Sequence, residues 1–196
     1  MSTTITTMTP EQRVSKLFEL LEISGKKEHI SGNMTQLDHA LRVANLAKID
    51  SADEDTTLAE LILNAGKITR RFDNTFGRKL RFSKKTCALV ESNILDKRYL
   101  GGMAPEGLVS IIPKNIGIFM REILEAPIRV TIPMWGGPLS PTEMREFEKA
   151  PLFKQKMQLA VWDIAATKTT GDKPHALDTY RDMALRNLLM SMRMLY

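Results

Sequence analysis

The sequence is poor in the side chains that build disulfides and metal sites. It has one cysteine, Cys87, and three histidines among 196 residues. A single cysteine excludes an intramolecular disulfide and is typical of a reducing compartment. No apolar run is long enough to span a membrane, and Met1–Thr9 lacks the apolar core of a secretory signal. We therefore expect a cytoplasmic protein that does not enter the membrane.

Positive charge is in modest excess, with a net charge of +5. The densest basic stretch is 67–85, where Phe72, Phe76 and Phe82 interleave with lysines and arginines. We favour a solvated helix face whose phenylalanines point to the core. A basic rim over a pocket for a small anion is an alternative. Binding of nucleic acid is disfavoured because it needs exposed aromatics or a single recognition helix.

Helical signals dominate the chain. Capping motifs predict helix starts at Thr9–Gln12, Ser51–Glu54 and Ser140–Glu143. Further helices are predicted to begin near Thr35 and at Ser83, each followed by apolar residues at helical spacing. A further helix is predicted over about 68–80. The last one begins near Asp178, and its apolar end, Leu188–Tyr196, is a candidate homodimer face. We predict one all-α domain over 1–196, with 1–8 disordered.

Several segments resemble one known family. They are Gln36–Ala44, Leu58–Lys67, Gly136–Ser140, Glu146–Glu148, Pro151–Phe153 and Val161–Asp163. Together they are similar to the HD-domain superfamily, in the branch that contains 2-amino-1-hydroxyethylphosphonate dioxygenase and, more distantly, myo-inositol oxygenase. The resemblance extends over about 10–185. It implies a helical bundle around a dinuclear metal site.

The resemblance also shows which metal ligands are replaced here. The first histidine of the family matches His39, and its late aspartate matches Asp163. The other ligand positions fall on Leu63, Asn64, Asn93 and, approximately, Asp73. Leucine offers no lone pair, and a neutral asparagine is a poor metal bridge. We therefore expect no dinuclear centre and no cofactor; a single metal held by His39, Asp73 and Asp163 is the alternative.

The remaining site residues follow from the same resemblance. His39 and Asp163 would meet without a metal between them and form a catalytic acid/base pair, or else a buried hydrogen bond that only holds two helices. Lys97 matches a lysine that binds the substrate phosphonate in the family. We expect a pocket for a small molecule, with the substrate-binding residues Lys97, Asn93, Asn64, Trp135, Thr131 and His29.

Three functions are compatible with this pattern. The first is a metal-independent enzyme, of isomerase, cyclase or lyase type, that uses His39 and Asp163. The second is an inactive pseudoenzyme that binds a small molecule or a partner protein. The third is a residual hydrolase or oxygenase with one metal.

Overall fold

Helices make up almost all regular structure in this protein. The computed structural model describes residues 8–31, 33–69, 75–103, 133, 136–167 and 174–193. Within these ranges the only sheet is a short antiparallel pair of strands. The predicted all-α fold is therefore confirmed.

The described elements have the following order along the chain. They are α1 (Pro10–Ile23), β1 (His29–Ser31), β2 (Met34–Thr35), α2 (Gln36–Ile49), α3 (Glu54–Ile68), α4 (Phe76–Leu80), α5 (Lys84–Gly102), α6 (Pro141–Glu148), α7 (Phe153–Ala166), a 3₁₀ turn (Leu177–Tyr180) and α8 (Arg181–Arg193). The chain divides into two compact units, Met1–Glu91 with Gly171–Tyr196, and Ser92–Thr170. The division falls within α5. The single domain expected from sequence stays a prediction.

The first unit is built around α3. Helices α1, α2 and α8 all pack on it, and eleven of its residues are buried, from Thr56 to Gly66. A helix that is apolar on most sides must be surrounded by others, which explains its central place. The core includes Leu17, Leu61 and Tyr180, none of which is accessible to solvent.

The second unit brings the end of α5 together with α6 and α7. Trp162 is completely buried in it. Tyr99, Phe147 and Phe153 form an aromatic cluster, with ring centroids 5.2 to 5.7 Å apart. Tyr99 also donates a hydrogen bond of 2.7 Å to Glu148. Burial and this carboxylate raise the pKa of Tyr99 to about 12, so its hydroxyl stays a donor.

Most predicted helix starts are confirmed, and one is wrong. Thr9, Thr35 and Ser140 are N-caps within complete capping boxes. The third helix is capped by Asp53 instead of Ser51. Ser51 has a left-handed backbone, with φ of 56°, because it turns the chain between α2 and α3. The helix predicted over 68–80 is also wrong in extent, since α3 ends at Ile68 and α4 begins at Phe76.

The ends of the chain are described in part. Of the segment predicted to be disordered, only Met8 is described, and its carbonyl oxygen accepts a 3.0 Å hydrogen bond from Arg13. Near the other end Leu188 is buried, whereas Leu189 and Met190 are exposed. The homodimer face stays a prediction. No helix in the described part of the chain has the length and hydropathy needed to span a bilayer.

We expect Asn187 to stabilise the first unit strongly. Its side chain accepts a 2.9 Å bond from the Ser83 amide and donates to Asp55 and Thr86. Asn187→Ala removes the acceptor of the part-buried Ser83 amide and one donor each from Asp55 and Thr86, and should lower the free energy of unfolding by about 1–3 kcal/mol. Urea unfolding measures this. Arg186→Ala, which breaks only an exposed ion pair on the same helix, should change little; an equal loss in both variants would contradict the role of the network.

Candidate functional site

A buried ion pair lies at the centre of the second unit. The Lys97 ammonium on α5 contacts the Asp163 carboxylate on α7 directly, and the two side chains are only 9% and 7% exposed. Each charge would lose several kcal/mol of hydration on burial. Because the two groups neutralise each other, both can remain charged inside the protein. The pair therefore fixes α5 against α7.

This contact joins two residues to which the sequence assigned separate roles. Lys97 was expected to bind an anion, and Asp163 was expected to pair with His39. His39 is 2% exposed on α2, in the first unit, whereas Asp163 belongs to the second. The pairing of His39 with Asp163 stays a prediction. The pairing of Lys97 with Asp163 was missed, although each residue had been singled out.

Asp96, next to Lys97, is a second buried carboxyl group. It is 1% exposed, and its Oδ2 accepts a 2.8 Å hydrogen bond from Ser92. Its other oxygen, Oδ1, receives no hydrogen bond from the described residues. Burial raises the pKa of Asp96 to about 7, against the opposing effects of Ser92, Lys156 and Lys97. This carboxyl group can therefore give or take a proton near neutral pH.

Arg98 holds the Gly-Gly-Pro turn. Its Nε donates a 2.8 Å bond to the Gly137 carbonyl oxygen, and its own carbonyl oxygen accepts from the Leu139 amide at 3.1 Å. Gly136 and Gly137 have φ of 92° and 80°, a region that side chains disfavour. The turn is thereby fixed to α5 at the residue beside Lys97.

The family resemblance does not point to Asp96 or Arg98. Within the segment Glu91–Tyr99 of α5 it matches only Asn93 and Lys97. On a helix, Ser92 and Asp96 are one turn apart and can bond to each other. The signal for these two residues is that they flank a lysine within a segment that also has buried apolar positions.

The other predicted pocket residues are distributed between the units. Asn93 is 6% exposed on α5, in the second unit. Asn64 is fully buried on α3, in the first unit, and its amide nitrogen donates to the Glu60 carbonyl oxygen at 2.9 Å. His29 lies on the exposed β1 strand, and its Nδ1 is 3.0 Å from the Lys27 carbonyl oxygen. Asp73, Thr131 and Trp135 lie outside the described residues.

Metal-binding side chains do not cluster in the described part of the chain. Over these ranges no three His, Cys, Asp or Glu side chains lie close enough together to hold a metal ion. Asn64 donates its amide nitrogen to the Glu60 carbonyl oxygen of its own helix. The positively charged ammonium of Lys97 contacts the Asp163 carboxylate.

Comparison with known proteins gives distant relatives. No family model matches the chain. It is 24% identical over 90% of its length to an uncharacterised protein of Acanthamoeba polyphaga mimivirus, covering 82% of that protein. It is 24% identical to a glycine-betaine-forming 1-hydroxy-2-(trimethylamino)ethyl phosphonate dioxygenase of Leisingera caerulea, covering 76% of this chain and 78% of the relative. Hydroxymethylphosphonate dioxygenase of Gimesia maris is 26% identical, with 88% and 86% covered. The chain is thus similar to phosphonate dioxygenases over most of its length.

The ion pair predicts an asymmetric response to mutation. Lys97→Met leaves the Asp163 carboxylate buried without its counter-charge and should lower the free energy of unfolding by about 3–5 kcal/mol. The double variant Lys97→Met with Asp163→Leu removes both charges and should recover most of that loss. Chemical denaturation measures all three proteins. Additive losses in the double variant would show that the two charges do not depend on each other.

Asp96 predicts a loss of stability as pH rises. Its pKa is about 7 in the folded chain against an ordinary 3.8, so the folded state binds the proton more tightly. The stabilisation is complete below about pH 4 and disappears as pH rises through about 7, at a cost of up to about 4 kcal/mol. Asp96→Asn keeps a partner for Ser92 and should flatten this dependence. Unfolding of both proteins from about pH 4 to about pH 8.5 tests this; parallel pH profiles would contradict it.

Proposed function

We propose that this chain is an enzyme that carries out metal-independent acid/base chemistry on a small anionic substrate. The observation that supports this most directly is the buried contact between Lys97 and Asp163. It places a cation and a carboxylate together inside the second unit. Asp96 adds a carboxyl group whose pKa lies near neutrality.

The residues present do not fit the dinuclear centre that the family resemblance implies. Leu63 has no donor atom, and Asn64 is a neutral amide, which is a poor bridge between two cations. The Lys97 ammonium contacts Asp163, the carboxylate that matches the late aspartate of the family. A metal at Asp163 would have to share this carboxylate with a buried positive charge. We infer that the ammonium supplies the positive charge that a metal supplies elsewhere in the family.

Lys97 is suited to bind a substrate anion while it contacts Asp163. An ammonium group has three N–H donors, so it can contact a carboxylate and a phosphonate or phosphate oxygen at the same time. As the substrate anion shares the ammonium, the Asp163 carboxylate is less fully neutralised and becomes a better proton acceptor.

Isomerisation, cyclisation and elimination need a proton removed at one atom and another returned elsewhere. We assign the removal to Asp163, which would take the proton on its carboxylate. Asp96, partly protonated at neutral pH, would return one. The lysine stabilises negative charge that develops on the substrate. His39 is buried and is proposed as a further proton-transfer residue of the same reaction.

The names of two relatives suggest where to begin with substrates. Both are named for dioxygenases of small phosphonates, and both named phosphonates carry a hydroxyl on the carbon next to phosphorus. A hydroxyalkylphosphonate combines an anion for Lys97 with a proton for Asp163. We therefore propose hydroxyalkylphosphonates as the first class of substrates to test.

A residual oxygenase is the second candidate, because the two relatives are named as dioxygenases. It differs from our proposal in what it consumes. An oxygenase uses molecular oxygen and requires a metal, whereas proton transfer requires neither.

Activity on hydroxyalkylphosphonates is the direct test. The full chain is incubated with a panel of these compounds, with and without a chelator, while phosphorus NMR follows the substrate and an electrode follows oxygen. We expect turnover that is insensitive to the chelator and consumes no oxygen. Lys97→Gln and Asp163→Asn should each lower kcat/KM roughly a hundredfold or more. Lys149→Gln, which changes an exposed lysine just after α6, should leave it unchanged.

Two results would count against the proposal. Oxygen uptake that requires added ferrous iron would favour the residual oxygenase. Saturable binding of these phosphonates without turnover would favour the non-catalytic binding protein. Full activity in His39→Gln would remove that residue from the mechanism without affecting the roles of Lys97 and Asp163.

A further inference from the structure

A cavity of about 790 Å³ lies in the first unit, where the beginning of α5 meets α8. None of its lining residues has a role in the proposed function. Pockets for small organic ligands have volumes of roughly 300–1,000 Å³. The cavity is therefore large enough for a ligand of that size.

The cavity has an apolar wall. Phe82 and Cys87 line it and are 3% and 4% exposed. Burial raises the pKa of the Cys87 thiol to about 11, so the thiol is neutral and behaves as a small apolar group. Met190 also lines the cavity and is 63% exposed, a large exposure for an apolar side chain. A ligand with an apolar body would cover it.

The rim of the cavity carries positive charge, part of which is not paired by any residue that the structure describes. Its charged lining residues are Arg78, Arg81, Lys84, Lys85, Glu54 and Asp55. Most of these already have a partner: Glu91 for Arg78, Asp53 for Lys85, Arg186 for Glu54, and a network of hydroxyl and amide donors for Asp55. Arg81 and Lys84 form no ion pair with any described residue.

Arg81 occupies a backbone position that favours glycine. It caps α4 with φ of 64°, in the left-handed region where a side chain is disfavoured. Its amide donates to the Arg78 carbonyl oxygen, and the next amide, of Phe82, donates to that of Gly77. An arginine that is conformationally unfavourable here and makes no ion pair is explained if its side chain binds a ligand.

We propose that this cavity binds an amphipathic organic anion, with its apolar body against Phe82, Cys87 and Met190 and its anionic head at Arg81 and Lys84. A long-chain carboxylate or alkyl phosphate has this chemistry. The proposal does not depend on the catalytic function, because its residues are separate from Lys97, Asp96 and Asp163.

Titration calorimetry of the full chain with decanoate, decanol and inorganic phosphate tests the two halves of this chemistry. We expect decanoate to bind, and decanol and phosphate to bind at least tenfold more weakly. Decanol lacks the charged contact and phosphate lacks the apolar contact, and a tenfold loss is roughly the effect of one such contact. Arg81→Gln and Lys84→Gln should each weaken decanoate binding roughly threefold, and their combination about tenfold. Lys154→Gln, the same charge change at an exposed position on α7, is the matched control.

Arg81→Gly separates binding from folding. Glycine suits the left-handed backbone, so this variant should keep or raise the melting temperature, by about 2–4 °C, while it weakens decanoate binding. Met190→Glu should also weaken binding, because it places a negative charge at the mouth of the cavity.

Three results would overturn the proposal. Decanoate could bind the Arg81→Gln/Lys84→Gln variant as tightly as the unmodified chain. Decanol could bind as tightly as decanoate. The protein could bind vesicles that contain an anionic phospholipid but fail to bind monomeric decanoate, which would assign the basic rim to a membrane surface instead.

Discussion

Two opposite charges that are removed from water inside one unit must lie in contact, and this constraint organises the candidate site. Lys97 on α5 and Asp163 on α7 meet this condition, and neither could remain charged there alone. The charged residues on either side of Lys97, Asp96 and Arg98, differ in their surroundings. Asp96 forms no ion pair with a residue that the structure describes, and burial raises its pKa. Arg98 binds the Gly-Gly-Pro turn.

The ion pair also offers a physical interpretation of the distant similarity with phosphonate dioxygenases. A metal supplies positive charge beside the carboxylate that binds it. A lysine ammonium can supply that charge from within the chain itself. An ammonium group can donate to an anion but supplies no redox chemistry and no open coordination position. Our proposal therefore keeps the anionic substrate class of the relatives and changes the type of reaction.

The sequence predicts the helices and the residues of the site better than their contacts. Capping boxes at Thr9, Thr35 and Ser140 are local signals, since donor and acceptor lie three residues apart, and the helices begin there. The contact of Lys97 with Asp163 spans two helices far apart in sequence, and no local pattern encodes it. The raised pKa of Asp96 likewise depends on burial by other elements. Ser51 was misassigned because both it and Asp53 are good caps, and only the turn from α2 distinguishes them.

A crystal structure of protein expressed with added iron and manganese, with anomalous scattering recorded at both absorption edges, tests the central claim most directly. The account predicts that Lys97 Nζ lies within hydrogen-bonding distance of Asp163 and that no anomalous peak appears beside that carboxylate. A strong anomalous peak coordinated by Asp163, with the Lys97 side chain turned away, would contradict it.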